Sequence, residues 1–595
     1  GAGGAAAHDA RGRREEEERE GGQQALLPPL LLAAAASPDA NITRDLAGID
    51  AEPCPWRFRV YSYEFPEHLP FVQEAVKLRR DGRLWFDDEK ENDMFALELL
   101  LHRVFQTSCV RTDDPEEATF FFVPFYSDLD FRLNGRQDEP SAYGQAILSA
   151  MRGDVAAWEE TFEVPGSWWT RRQGWDHIVV FAAPLTTFTH EKSRRGLFHN
   201  KKMLVPPIVA NVELLNRFVA EYPACGGAKN LLLPYPYGGV SWADGSHLQA
   251  AKTRISATYD ADGNFREAVG WADAHMRRES GDPWAALEAE WQAGGRFTTE
   301  EQLWRMLVLA QKDLFAMATY GLAHGCRPLR EAIKEHLRAE DCLLCVANDG
   351  RHAVVGSGSN VALGFNEDGS QGRARPHMRA ELSHRALFCP CPGGDSPGAK
   401  RMYDVVRAGC IPVILSEDFV YPWSAEAGRG DLPEASFSLR IPTVALDGYD
   451  APKSQQNRGS STREAARYAV ADDWSELSWF AEAHAAATAA GDGHTLGAYL
   501  RRVSPLQVKA LLAGVGRVKR EYFDYWEMSG NPVYRRAYDA NGRKKSLLAV
   551  DEAKPEGGAV RALLDSLAEK AGFPYRQACE SELQASHKDS RTPFC

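Results

Sequence analysis

A cluster of glycines, acids and bases between two apolar runs is the part of the chain best suited to chemistry. Residues 388–423 read FCPCPGGDSPGAKRMYDVVRAGCIPVILSEDFVYPW. The paired glycines allow a tight turn, and Pro397 is tolerated in a first helical turn because its missing N–H would be unpaired there. The free N–H groups of that turn, with Lys400 and Arg401 beside them, suit a diphosphate.

A carboxylate follows this cluster at helical spacing. Asp404 lies one turn beyond Lys400, where it can accept hydrogen bonds from ribose hydroxyls. The alternative is a structural strand–helix–strand unit whose glycine turn binds nothing, because such turns are common in α/β proteins. The spacing alone leaves both interpretations open.

Two series of strands and helices must position these residues. Alternating strands and helices indicate parallel sheets with crossover helices, which bind ligands at the carboxyl ends of strands. In the first series we predict strands at 57–63, 118–124, 177–182 and 230–234 and helices at 90–106, 140–158 and 205–221. In the second we predict strands near 313–319, 342–347, 386–391, 411–415 and 436–441, with helices at 327–338 and 397–408. Further helices are predicted at 475–487, 503–527 and 558–571.

The length and composition fit a large globular enzyme with two core-bearing domains. The chain has 595 residues, 44% of them hydrophobic, and a net charge of −14, which argues against a nucleic-acid partner. We predict five segments: 1–55 disordered and stem-like, 56–240 a first α/β domain, 241–311 an insert, 312–470 a second α/β domain, and 471–595 a helical tail. We interpret the insert as a surface addition rather than an acceptor-side loop.

Several motifs resemble those of the exostosin-like glycosyltransferases (glycosyltransferase family 47). GDSPGAKRMYDVVRAGCIPVI, residues 394–414, resembles the family's sugar-nucleotide signature, although Gly398 and Ala399 stand where small hydroxyl residues are frequent. The other matching segments, in the family's order, are 59–65 (RVYSYEF), 112–126 (TDDPEEATFFFVPFY), 168–181 (WWTRRQGWDHIVVF), 230–235 (NLLLPY) and 312–330 (KDLFAMATYGLAHGCRPLR).

This resemblance implies a fold and a donor site. The fold is GT-B: two Rossmann-like α/β domains face each other across a cleft, and the helical tail packs back on the first. The activity implied is transfer of a sugar from a UDP-sugar to a glycan or glycoprotein acceptor, inverting and without a metal cofactor. The donor-binding residues implied are Arg327, Gly394, Asp395, Ser396, Lys400, Arg401 and Asp404. The alternative is a non-catalytic exostosin-like partner that binds carbohydrate or stabilises an active transferase.

The acceptor side supplies the candidates for a general base. Asp128, Asp176 and His177 are the catalytic candidates, with Asp130 also conceivable. Asp176 and His177 have a structural alternative, which is to order the start of the strand IVVF. Asp128 and Asp130 also form the acid-x-acid string of metal-dependent transferases, but we expect no metal there because the string follows a first-domain strand and loop.

The remaining features bear on location. Eleven cysteines suit an oxidising lumen, and Cys342 and Cys345 are expected on a buried strand rather than in a metal site. The pairing among Cys54, Cys109, Cys225, Cys326, Cys579 and Cys595 stays open, and Cys410 is expected to pack on the sheet. The resemblance implies a type II protein of the Golgi lumen with its anchor upstream of Gly1. Homo- and hetero-oligomers are both compatible with the sequence, and neither the sugar, the acceptor nor the linkage follows from it.

Overall fold

The computed structural model describes the two predicted sheet regions and the helices that follow them. The described residues are 54–63, 97–126, 145–160 in part, 167–182, 206–213, 222–236, 282–312, 314–320, 327–338, 354–356, 383, 385–393, 397–416, 419–425, 427, 429–449, 474, 477–525 and 557–586. Residues 1–53 of the predicted stem-like segment, the candidate strand at 342–347 and most of the helix at 140–158 lie outside them.

The first sheet has five parallel strands in sequence order. They are β1 (Val60–Ser62), β2 (Phe120–Val123), β3 (His177–Phe181), β4 (Ile208–Asn211) and β5 (Leu231–Leu232). All of β2, β3 and β4 is buried. These strands are continuous apolar runs because a parallel sheet is covered on both faces. The strands predicted at 57–63, 118–124, 177–182 and 230–234 are confirmed.

The helix predicted at 205–221 is wrong over its first part, which is strand β4. Ile208 and Val209 pair with Ile178 and Val179 of β3. The segment PPIVANVELLNRF has apolar residues at helical spacing, but its β-branched pair fits the pleated surface beside β3. Packing within the sheet therefore overrides the helical pattern.

The described residues in the second half of the chain form six strands: β6 (Leu314–Ala316), β7 (Ala318–Tyr320), β8 (Val354–Gly356), β9 (Ala386–Pro392), β10 (Ile411–Leu415) and β11 (Leu439–Arg440). Four of them form the second sheet, which is parallel and has the order β11-β10-β9-β6, while β7 and β8 form a separate parallel pair. The strands predicted near 313–319, 386–391, 411–415 and 436–441 are confirmed.

Strand β9 carries two prolines although it lies between two neighbours. The carbonyl of Phe388 accepts a hydrogen bond from the Met317 N–H, so Phe388 faces β6. Because backbone groups point alternately to the two neighbouring strands, the backbone nitrogens of Pro390 and Pro392 point to the same side as that of Phe388. Both prolines lie beyond the end of β6, whose last residue pairs with Phe388. A missing N–H therefore costs no ladder hydrogen bond at these two positions.

The helices follow the sequence pattern closely in the second half of the chain. They are α1 (Leu97–Thr107), α2 (Ser167–Arg171), α3 (Pro283–Gly294), α4 (Glu300–Ala310), α5 (Arg327–Arg338), α6 (Arg401–Arg407), α7 (Ser478–Ala490), α8 (Leu496–Leu500), α9 (Pro505–Val518), α10 (Gly558–Lys570) and α11 (Arg576–Ser586). π-Helical turns occupy Pro223–Ala228 and Lys519–Phe523, and 3-10 turns occupy Glu434–Ser436 and Thr443–Ala445. No helix among the described residues is long and apolar enough to cross a membrane.

The described half of the insert is part of the core, which corrects its interpretation as a surface addition. Leu287 of α3 and Met306 of α4 are fully buried. The buried Glu288 accepts a hydrogen bond from the N–H of Leu506 at the start of α9, 2.9 Å away. Helices α3 and α4 therefore support the C-terminal helices instead of decorating the surface.

The C-terminal helices contact elements of both sheet regions. Glu582 of α11 accepts hydrogen bonds from the N–H groups of Ala224 and Cys225 after β4, and Phe573 packs edge-on against Phe120 of β2. On the other side, the Trp423 indole donates to Ser566 of α10.

Three disulfides join described residues, and one of them links α11 to the first sheet region. Cys54 pairs with Cys109, Cys225 with Cys579, and Cys389 with Cys410. The third pair extends the expectation for Cys410, since the residue is bonded to strand β9 rather than only packed on the sheet. Cys326, Cys342, Cys345 and Cys595 lie outside the described residues.

Two glycines in α9 allow a matched test of how this helix packs against the 3-10 turn Glu434–Ser436. A Cβ at Gly514 would collide with the backbone carbonyl of Ser436, whereas the nearest atom to a Cβ at Gly516 is Arg520 Nη1 at 3.9 Å. Gly514→Ala should lower the free energy of unfolding by about 1–3 kcal/mol through overpacking. Gly516→Ala should raise it by up to about 1 kcal/mol because alanine favours a helix. Urea unfolding of the two variants measures both effects, and equal stabilities would contradict the packing described.

Candidate functional site

The predicted donor loop lies where a parallel sheet binds ligands. It joins the carboxyl end of β9 to α6, and the Ser416 hydroxyl after β10 donates to the carbonyl of Pro397, 2.8 Å away. Gly394, Asp395 and Ser396 lie outside the described residues, so their predicted contacts with the donor stay predictions.

The helix after this loop is shorter than predicted. It begins at Arg401 rather than near Pro397, and no side chain caps it. Met402 and Tyr403 instead donate from their N–H groups to carbonyls three residues earlier. A helix of two turns has a small dipole, so an anion here depends mainly on cationic side chains.

Two of the predicted donor residues, Lys400 just before α6 and Asp404 within it, contact each other. Lys400 Nζ lies 2.6 Å from Asp404 Oδ2, and the Lys400 side chain is only 9% exposed. Arg407 Nη1 lies 3.8 Å from the other Asp404 oxygen. Lys400 and Asp404 therefore form an ion pair. A bound diphosphate would share or replace Asp404 as the partner of Lys400, and a ribose would do the same for Lys400 as the partner of Asp404.

Arg401 is half-buried beside the end of β9. Burial raises the pKa of the Cys391 thiol to about 12, and the positive charge of Arg401 opposes that rise. This places the guanidinium charge near the carboxyl end of the strand that leads into the loop.

Helix α5 contributes a cation that the sequence analysis did not single out. The buried Arg330 donates from Nη2 to the carbonyl of Gly393, 2.7 Å away. Arg327, the predicted donor residue, is the first residue of the same helix, and its side chain lies outside the description. No local sequence pattern identifies Arg330, because its partner lies 63 residues further along the chain.

Asp176 and His177 lie at the amino end of β3, away from the ligand-binding edge of that sheet. Both are fully buried, and the Nδ1–H of His177 donates to Asp176 Oδ1 at 2.8 Å. Arg171 donates to the other carboxylate oxygen at 3.2 Å, and the hydroxyl of Tyr63 lies 2.9 Å from His177 Nε2.

The environment fixes the charge states of this network. Burial lowers the pKa of His177 and outweighs the opposing effect of Asp176, so the imidazole is neutral and its Nε2 accepts from Tyr63. Burial alone would raise the pKa of Asp176, but hydrogen bonds from His177 and Arg171 lower it below its usual range. This geometry favours the structural alternative, and a base role for either residue stays a prediction. Asp128 and Asp130 lie outside the described residues.

Three aromatic residues of the first sheet region are in contact with other rings of the protein. Trp168 stacks on Phe121, Trp169 lies 4.4 Å from the His177 ring centroid, and the Tyr126 hydroxyl lies 2.6 Å from His102 Nδ1. Within the described residues no group of three His, Cys, Asp or Glu side chains is arranged to hold a metal ion.

Comparison with known proteins gives the family. The Exostosin GT47 domain model matches residues 55–236 and 314–445, more than half of the chain. The chain belongs to the exostosin GT47 family. The two matched blocks contain all strands of the first and second sheets, and the loop between β9 and α6.

Curated relatives of this GT47 chain have names of glycosyltransferases. It is 25% identical over 368 residues to "Probable beta-1,4-xylosyltransferase" of Arabidopsis thaliana, covering 62% of this chain and 65% of the relative. It is 23% identical over 376 residues to a "Probable glucuronosyltransferase" of Oryza sativa subsp. japonica, covering 63% and 66%. The chain thus spans slightly less than two thirds of the length of these two relatives.

The buried histidine predicts a pH dependence of stability. Because the folded-state pKa of His177 is lowered, the unfolded chain takes up a proton below about pH 6.5 that the folded chain does not. The free energy of unfolding should therefore fall as the pH falls from about 6.5 to 5. Over this range the slope should be shallower in His177→Gln by up to about 1.4 kcal/mol per pH unit, measured by urea unfolding. Equal slopes would show that His177 does not titrate differently in the two states.

Proposed function

We propose that this GT47 chain is an inverting glycosyltransferase that uses a UDP-sugar donor. The observation that carries the proposal is the set of cations around the loop after β9. Arg330 binds the carbonyl at its start, while Lys400 and Arg401 stand at its end. Charge-assisted hydrogen bonds to a diphosphate contribute about 1.5–3 kcal/mol each, so a few placed cations suffice despite the net charge of −14.

The proposed reaction needs two functions from the protein. The acceptor hydroxyl oxygen forms a bond to the anomeric carbon while the bond from that carbon to the diphosphate oxygen breaks. UDP leaves with the bonding electrons, and the acceptor proton passes to a general base. Lys400 and Arg401 stabilise the negative charge that develops on the diphosphate, which is the role a divalent cation has in metal-dependent transferases. We therefore propose a metal-independent reaction.

The donor sugar and the location are also proposals. Relatives named xylosyltransferase and glucuronosyltransferase support a pentose or a uronic acid as the first donors to test. A glycan or glycoprotein is the proposed acceptor. Disulfides such as Cys225–Cys579, which joins distant parts of the chain, suit an oxidising compartment and support the Golgi lumen.

Thermal unfolding with UDP tests the donor class. A ligand that binds only the folded chain raises its midpoint, so UDP should raise the midpoint equally with and without EDTA. A shift lost in EDTA would contradict metal independence. No shift with UDP would contradict the donor assignment and favour the non-catalytic partner.

Arg401 allows a sharper test of the diphosphate position. Arg401→Ala should lower the UDP affinity by at least about tenfold in titration calorimetry, because it removes charge-assisted hydrogen bonds. Its thermal midpoint without ligand should stay close to that of the wild-type chain. Arg561→Ala on the exposed face of α10 is the matched control and should bind UDP like the wild type. Retained affinity in Arg401→Ala would place the diphosphate elsewhere.

A further inference from the structure

A glutamate from the first sheet lies against the donor loop of the second. Glu213 follows the carboxyl end of β4 by two residues and is 5% exposed. If Gly398 carried a Cβ, that atom would collide with Glu213 Oε1 and lie 2.9 Å from Glu213 Cδ. The carboxylate therefore occupies the space beside the backbone of Gly398.

The backbone holds Glu213 firmly at this place. Its N–H donates to Asn211 Oδ1 at 2.9 Å, and the Asn211 amide donates to the carbonyl of Phe181 at 2.7 Å. The position of Glu213 is thus set by the ends of both β3 and β4. A buried side chain on such a fixed base cannot swing to solvent as an exposed glutamate would, so its contact with Gly398 is specific.

The electrostatic effects of Glu213 agree with its position where the two sheet regions meet. Burial raises the pKa of Tyr235, after β5, and of Tyr403, on α6, and the negative charge of Glu213 raises both further. The rings of these two tyrosines are 5.8 Å apart. One carboxylate therefore acts on groups from both sheet regions as well as on Gly398.

We propose that Glu213 is a positioning residue for donor binding, and that its side chain fixes the 397–401 segment so that Lys400 and Arg401 face the diphosphate. This inference rests on the proposed function. It explains why position 398 is glycine although its backbone needs no positive φ: the space for a side chain is already filled by Glu213.

A double-mutant cycle on Glu213 and Gly398 tests the contact. Gly398→Ala and Glu213→Ala should each lower the UDP affinity about tenfold or more at a temperature well below unfolding. In the Glu213→Ala background Gly398→Ala should cost nothing further, because both substitutions break the same contact. Glu213→Gln keeps the shape of the side chain, and its UDP affinity should stay within about threefold of the wild-type value. This factor corresponds to about 0.7 kcal/mol of binding free energy. Glu482→Ala, on the exposed face of α7, is the control for loss of a carboxylate and should bind UDP like the wild type.

The readouts separate this role from a merely structural one. A structural role would lower the unfolding midpoint of Glu213→Ala while leaving the UDP affinity of the folded chain unchanged, and that result would overturn the inference. Additive losses in the double variant would also overturn it. If the wild-type chain itself does not bind UDP, the proposed function fails and this inference falls with it; wild-type binding with unchanged affinity in Glu213→Ala rejects the inference alone.

Discussion

The arrangement of the described elements depends most on the hydrogen bonds of the buried Arg407 guanidinium. Its Nη2 donates to the carbonyl of Tyr235, 2.9 Å away, and to the carbonyl of Phe523, 2.6 Å away. Nε lies 3.6 Å from a carboxylate oxygen of Asp524. A charge this deeply buried is tolerated only when it is paired and hydrogen-bonded, and removing the partners of such a group costs several kcal/mol. One side chain of α6 thus fastens the end of the first sheet and the π-helical turn after α9 to the second sheet.

The position of the cations beside the candidate donor loop follows from where Arg407 is held. Arg407 is the last residue of this short helix and Lys400 is the residue before its start, and both contact Asp404 between them. The end of α6 is fixed by buried carbonyls, and its beginning faces the loop after β9. Anchoring one end of a two-turn helix limits how far the cations at the other end can move. Glu213 adds a second restraint from the first sheet, so the position of the cations is set by both sheet regions.

The sequence predicts the elements better than it predicts their contacts. Strand β10 and helix α5 have the predicted bounds because the first is a continuous, β-branched apolar run and the second has apolar residues at helical spacing after Pro328. The sequence predicts a helix where β4 lies because four residues are too few to distinguish a hydrophobic period of 2 from one of 3.6. The contacts of Arg330 and Glu213 cannot be predicted from the sequence for a different reason. Each matters through a backbone group or a glycine far along the chain, and no local pattern records such a contact.

The parts of the chain outside the family match have a structural reason to exist. The two matched blocks, residues 55–236 and 314–445, each contain a parallel sheet whose buried strands need cover on both faces. The unmatched helices supply much of that cover: α3 and α4 add Leu287 and Met306 to the core, and α11 is tied to the first sheet region through Cys579. The family match therefore covers both sheets and the loop between β9 and α6, while these packing helices lie outside it.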